Sequence, residues 1–158
     1  MNSYNRFIDR VAKVVFIITG TMISAMVLII FAQVTSRFVF NRTPRWSEEF
    51  TLFLMLYTGF LGASLAYRER LHIGIKFFIE KLKLPVKNKV YFFIDILIGL
   101  FAIFMLFWGS GFAWMMRNQT LPATKISVGA SYLPIPLAGL LFLGFVVEKL
   151  MADIKGDN

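Results

Sequence analysis

Four stretches of this chain carry no charge: residues 14–36, 50–67, 96–116 and 126–147. An α-helix needs about 20 residues to cross a hydrocarbon core, with a usual range of about 17 to 25. Each stretch meets or nearly meets that length, and each is bounded on both sides by a charged residue. The pattern predicts helices over about residues 11–38, 47–67, 86–116 and 130–150. The expected fold is an all-α integral membrane protein: one domain over residues 1–158, with four transmembrane helices.

Residues between the second and third stretches follow a different rule. From 71 to 84, Leu71, Ile75, Phe78, Ile79 and Leu82 fall on one side at helical spacing. Lys76, Glu80 and Lys83 fall on the other, which predicts a basic amphipathic helix lying in the membrane interface. The polar turn between the first two spans reads RFVFNRTPRWSEEF. Thr43, Pro44 and Ser47 are turn and cap residues, and Ser47 is expected to cap a helix whose first turn carries Glu48 and Glu49. Trp46 sits where an apolar span meets water, a common position for an indole. On the second span, Gly59/Ala63 and Gly62/Ala66 are small pairs at four-residue spacing, which let another helix approach closely. Gly109, Ser110 and Gly111 form a second small-residue patch. Pro134 and Pro136 are expected either to open the last helix or to break it.

Composition agrees with this layout. The chain has 158 residues, of which 58% are hydrophobic and 18 are Phe, so little remains for a soluble domain. The first span is too long for a signal-peptide core and has no small-residue cleavage site ahead of a polar chain, so it is expected to stay. Cysteine is absent, which excludes disulfides and thiolate metal sites. The net charge of +8 raises nucleic acid as a partner, but the basic residues cluster just outside the spans. Attraction to membrane lipid, and control of topology, accounts for that placement; no nucleic-acid partner is expected. Twelve Lys and Arg residues fall on the side of the two termini and five in the two loops opposite. The positive-inside rule then places both termini in the cytoplasm.

Candidate chemistry is sparse. His72 is the only histidine, too few for a pair of axial haem ligands. Glu48 and Glu49 are either a carboxylate pair for acid–base work or a charged helix start. Asp95 is either a proton or ion site or a carboxylate near enough to the interface to meet Lys or Arg. Arg37 either binds an anion or snorkels to the interface. No charge falls in the middle of any span. That makes a poor ion pathway and a good scaffold. No catalytic residue, metal site or cofactor is expected, and the protein is not expected to be an enzyme.

The stretch RFVFNRTPRWSEEF resembles the signature of the small membrane subunit of TRAP transporters, the tripartite ATP-independent periplasmic transporters. Arg37, Phe38, Val39, Phe40, Asn41, Trp46, Glu48 and Glu49 match it. Phe60-Leu61-Gly62-Ala63 matches the next block, and Arg68 with His72-Ile73 the one after. Pro122-Ala123, Ile126, Tyr132 and Pro136 keep the spacing of a block before the last helix. Lys76 stands where the family usually has Asp, and Ser127 where Pro is common. The resemblance implies a non-catalytic subunit of a bacterial inner-membrane importer. It would scaffold a large membrane subunit that carries the substrate and sodium sites. A periplasmic binding protein would deliver an organic acid, such as sialic acid or a C4-dicarboxylate. Gly59, Gly62, Ala63 and Ala66 are the expected face toward the large subunit. The alternative reading is a self-contained four-helix exporter acting as a dimer.

Overall fold

A computed structural model describes residues 3–69 and 84–154. Helix α1 runs over Ser3–Phe40, α2 over Arg45–Arg68, α3 over Leu84–Met115, α4 over Val128–Tyr132 and α5 over Pro134–Ile154. Four segments are long and apolar enough to cross a membrane: one each in α1, α2 and α3, and one formed by α4 and α5 together. The chain is a multi-pass membrane protein, as the four uncharged runs predict. The interfacial helix expected over 71–84 lies outside the described residues, save Leu84, which opens α3.

Two expected boundaries shift. Helix α1 begins near residue 3 rather than 11. Ile8 and Ala12, four residues apart, continue the inward face of the span and are buried. No proline precedes Pro44 to interrupt it. The resulting 38 residues span about 57 Å, well beyond a hydrocarbon core of about 30 Å. Helix α2 likewise begins before Ser47, which is not its N-cap. Pro44 holds the capping position in extended geometry without a side-chain cap. Ser47 lies inside the first turn, where its hydroxyl donates to the Pro44 carbonyl at 2.6 Å. Proline lacks an N–H and has a preset φ, so the chain enters the helix directly after it.

The helices form a row in the order α1, α2, α5, α3. Helices α1 and α3 are the outer members, and α2 and α5 the inner pair. Among the long helices, α3 and α5 approach backbone to backbone. A Cβ on Gly139 would lie 2.8 Å from the Ala102 carbonyl oxygen and 3.0 Å from the Leu106 nitrogen, both backbone atoms. Ala102 and Ala138 are wholly buried in this seam. Close backbone contact of this kind drives helix association in lipid, where apolar side chains gain little by leaving the tails. Pro134 breaks the last span into α4 and α5: it has no N–H, and its ring excludes the carbonyl four residues back. The break is short, because Leu133 stays helical and accepts a bond from the Leu137 amide at 3.2 Å.

Outward faces are apolar. Phe16 and Phe31 of α1 and Phe107 and Trp108 of α3 are each about 70% exposed. In water such a surface would aggregate; in a bilayer the acyl chains cover it. Hydroxyls on these faces bond to their own helix, as Thr21 does to the Ile17 carbonyl and Thr35 to that of Phe31. No bare donor is then presented to lipid at these positions.

Candidate functional site: two polar ends of the helix row

Polar side chains collect at the two ends of the row. At the end that holds both termini, Arg68 closes α2. Its guanidinium donates to Asp9 of α1 and to both carboxylate oxygens of Glu148 on α5, at 2.9 and 3.0 Å for the latter. Arg68 can hold two carboxylates because its planar fork has five donors. The same guanidinium lies over the Phe145 ring, 5.6 Å from its centroid. Next to it, the Tyr67 hydroxyl donates to Asp95 of α3 at 2.6 Å, and Asp95 is only 4% exposed. Lys149 donates to the Tyr67 carbonyl at 2.7 Å, with its ammonium over the Tyr67 ring. Tyr4 donates to the Gly144 carbonyl at 3.1 Å. Burial first, and the charge of Glu148 second, push the Tyr4 phenol above its ordinary range. The last turn of α2 thus ties all four spans together.

At the opposite end, Glu49 of α2 reaches across to the connection between α3 and α4. Its carboxylate accepts from the backbone amides of Ala123 and Thr124 at 3.0 and 2.8 Å, and from the Thr124 hydroxyl at 2.9 Å. The connection is a tight hairpin. Leu121 donates to the Ile126 carbonyl at 2.9 Å, and the Ser127 hydroxyl donates to that of Arg117 at 2.7 Å. Lys125, at φ 60°, makes its left-handed corner. Asn41 stands at φ 50° where α1 ends. Asn tolerates the left-handed region better than other side chains with a Cβ, which accounts for its place in the turn.

The residues singled out in the sequence therefore separate into groups. Glu48 and Glu49 do not act as a carboxylate pair: Glu48 is exposed in the first turn while Glu49 binds the far loop. Asp95 pairs with a tyrosine hydroxyl. Arg37 and Trp46 are exposed at the turn. Tyr132 packs edge-on against Phe112 at 4.8 Å, and a Cβ on Gly109 would meet the Pro136 ring at 3.1 Å. His72 lies outside the described residues. Of the small residues on α2, Gly62 faces Thr19 of α1, where an added Cβ would lie 3.9 Å from the Thr19 methyl. A Cβ on Gly59 would meet nothing within 4 Å, and Ala63 is exposed.

Sequence reasoning missed Asp9, Glu148, Lys149 and Tyr67. The one signal was charge sign: Asp9 and Glu148 are acidic residues just outside the first and last apolar runs, on the side where basic residues prevail. Among the described residues, no three His, Cys, Asp or Glu side chains converge on a common point. The arrangement offers mechanical ties at both ends of an apolar layer.

Comparison with known proteins gives this layer its family. The family described as tripartite ATP-independent periplasmic transporters, DctQ component, matches residues 26–156. A protein of Haemophilus influenzae named as a TRAP transporter small permease protein is 25% identical over 155 residues, covering 98% of this chain and 94% of its own length. The sialic acid TRAP transporter small permease protein of Vibrio cholerae is 25% identical over 143 residues, covering 88% of this chain and 80% of its own. A sialic acid TRAP transporter permease protein of Haemophilus influenzae is 34% identical over 79 residues, which are half of this chain but 13% of that protein. Four spans, the turn motif and a match over most of the length agree, and the chain belongs to the DctQ family of TRAP transporter small membrane subunits.

Proposed function

We propose that this chain is the non-catalytic scaffold of a sodium-coupled importer of an organic acid, with sialic acid or a C4-dicarboxylate as the substrate class. It braces a large membrane subunit in the bacterial inner membrane, with both termini in the cytoplasm, and a periplasmic binding protein delivers the substrate. Sodium and substrate bind the large subunit. The observation that carries this reading is the open row of helices, whose described charges lie at its two ends. Transport usually needs polar groups or broken helices near the midplane. Here the described charges sit at the ends, and the flanks of α1 and α3 are broad apolar surfaces. A similar stretch forms 13% of a longer sialic acid TRAP transporter permease, which supports a large membrane partner. The sialic acid relatives favour that substrate within the class. The basic bias toward the termini supports the orientation.

Reconstitution tests the reading. The chain alone in vesicles should give no sodium-dependent uptake of sialic acid or of a C4-dicarboxylate. Adding the large subunit and the binding protein should restore uptake of one of them. Uptake by this chain alone would overturn the scaffold assignment and favour a self-contained carrier.

A further inference from the structure

The first turns of α1 present three distinct stripes. Tyr4, Ile8 and Ala12 face inward, with Ile8 and Ala12 buried in the cluster around Phe145 and Val146. Arg6, Arg10 and Lys13 recur at intervals of four and three residues, which aligns them on one stripe. At about 100° per residue that stripe lies roughly opposite the inward one, so it points away from the protein. All three basic residues are exposed. Exposed Phe7 and Val14 flank them.

Among the described residues, no acidic partner compensates the charge on this stripe. Asp9 is the one acidic residue of α1, and it is bound by Arg68. Among the described residues, neither ion pair involves Arg6, Arg10 or Lys13. Their depth is also informative. Lys13 immediately precedes the apolar run, and Arg6 lies about 10 Å farther out along the helix. That distance is close to the thickness of one headgroup layer, about 5 to 8 Å. A helix with a basic stripe and exposed apolar flanks at this level matches the chemistry of a surface of anionic phosphates with acyl chains beneath.

We propose that Arg6, Arg10 and Lys13 form a binding face for anionic phospholipid headgroups, which fixes the depth and tilt of α1 at the end of the row. The face acts on lipid whether or not a transport partner is bound, so it stands apart from the scaffold reading. An acidic protein surface is the competing occupant, and the experiment distinguishes the two.

The natural chain has no cysteine, so Phe7→Cys gives a single site for a fluorophore. The labelled full-length chain is reconstituted in phosphatidylcholine vesicles with a minority of phosphatidylglycerol. In one preparation bromine is carried by phosphatidylglycerol, in the other by an equal amount of phosphatidylcholine. Quenching should report phosphatidylglycerol enriched roughly fivefold at the label, the factor that about 1 kcal/mol at one basic residue gives. The triple variant Arg6→Gln, Arg10→Gln, Lys13→Gln should remove the preference, Arg10→Gln alone should reduce it, and high salt should weaken it. A label at Leu52→Cys, near the other end of the row, should not respond to the triple change. Equal quenching by both lipids in the natural background would overturn the proposal, as would a preference that survives the triple substitution. Loss of phosphatidylglycerol quenching when the large subunit is added would assign the stripe to a protein partner instead.

Discussion

The seam between α3 and α5 and the seam between α1 and α2 are both helix contacts in lipid, yet they are built by opposite means. Along α3 and α5, backbone meets backbone. Gly139 stands against the Ala102 carbonyl and the Leu106 nitrogen. Along α1 and α2 the closest glycine, Gly62, meets only a Thr19 methyl at ordinary contact distance. What ties the two ends of that seam is polar or covalent: Arg68 binding Asp9 at one end, and a short turn at the other. In a solvent as apolar as the side chains, a seam is secured either by dispersion at close range or by a hydrogen bond with no competing water. The first tolerates no added volume. The second tolerates volume but depends on single residues.

That contrast predicts where substitutions hurt. Gly139→Leu should be the most damaging, since backbone on α3 cannot move aside as a side-chain tip would. Overpacking of this kind costs about 1–3 kcal/mol and at times more, and thermal unfolding of the isolated chain in detergent should show it. A melting curve within error of the natural chain would mean that α3 and α5 do not make this close backbone approach.

Arg68→Ala should follow. It leaves Glu148, with a side chain 17% exposed, without its bidentate partner. Because Asp9 is half exposed and partly solvated, we expect about 2 kcal/mol, below the cost of a fully buried pair. Arg68→Lys should recover part of it, because an ammonium keeps the charge but not the fork. Equal stability of the Ala and natural chains would show that the tie between α1 and α5 is unimportant; equal stability of Ala and Lys would show that the fork geometry is what matters.

Gly59→Leu should have the smallest effect on the chain itself, because the added side chain meets open space. This makes it a cleaner probe of partner contact than Gly62→Leu, which also presses on Thr19. If this face of α2 meets the large subunit, complex yield should drop while the melting temperature of the isolated chain holds. Full assembly of the Gly59→Leu chain would remove the α2 small-residue face from the interface, leaving Ala63 and Ala66 without that role.

The four spans were legible in the sequence because crossing a bilayer is a one-dimensional requirement: enough consecutive apolar residues, charge at the borders. The α1–α2 turn was legible for a related reason, since Pro44 and Asn41 act on their own backbone. Ser47 misled, because a serine after a proline satisfies the sequence rule for a cap while the chain has already turned helical at Arg45. The amphipathic character of residues 3–13 was hidden because Arg6, Arg10 and Lys13 dominate the linear pattern there; only Phe145, packed against Ile8 and Ala12, reveals the inner stripe. The tethers were not legible at all. Arg68 is 59 residues from Asp9 and 80 from Glu148, and Glu49 is 75 from Thr124. Periodicity along a helix says which residues share a face, but not which face of which helix comes opposite.

The sequence by itself determined how many spans the chain has, because hydrophobic length and border charge act locally. Tertiary structure decided that α5 sits between α2 and α3, that Gly139 rather than Gly59 stands against a neighbouring backbone, and that Arg68 and Glu49 are the ties at the two ends. The physical reason is that close packing and ion pairing in lipid act between residues brought together in space. Neither apolar length nor periodicity carries that information, since each long helix here has apolar residues on its outward face as well.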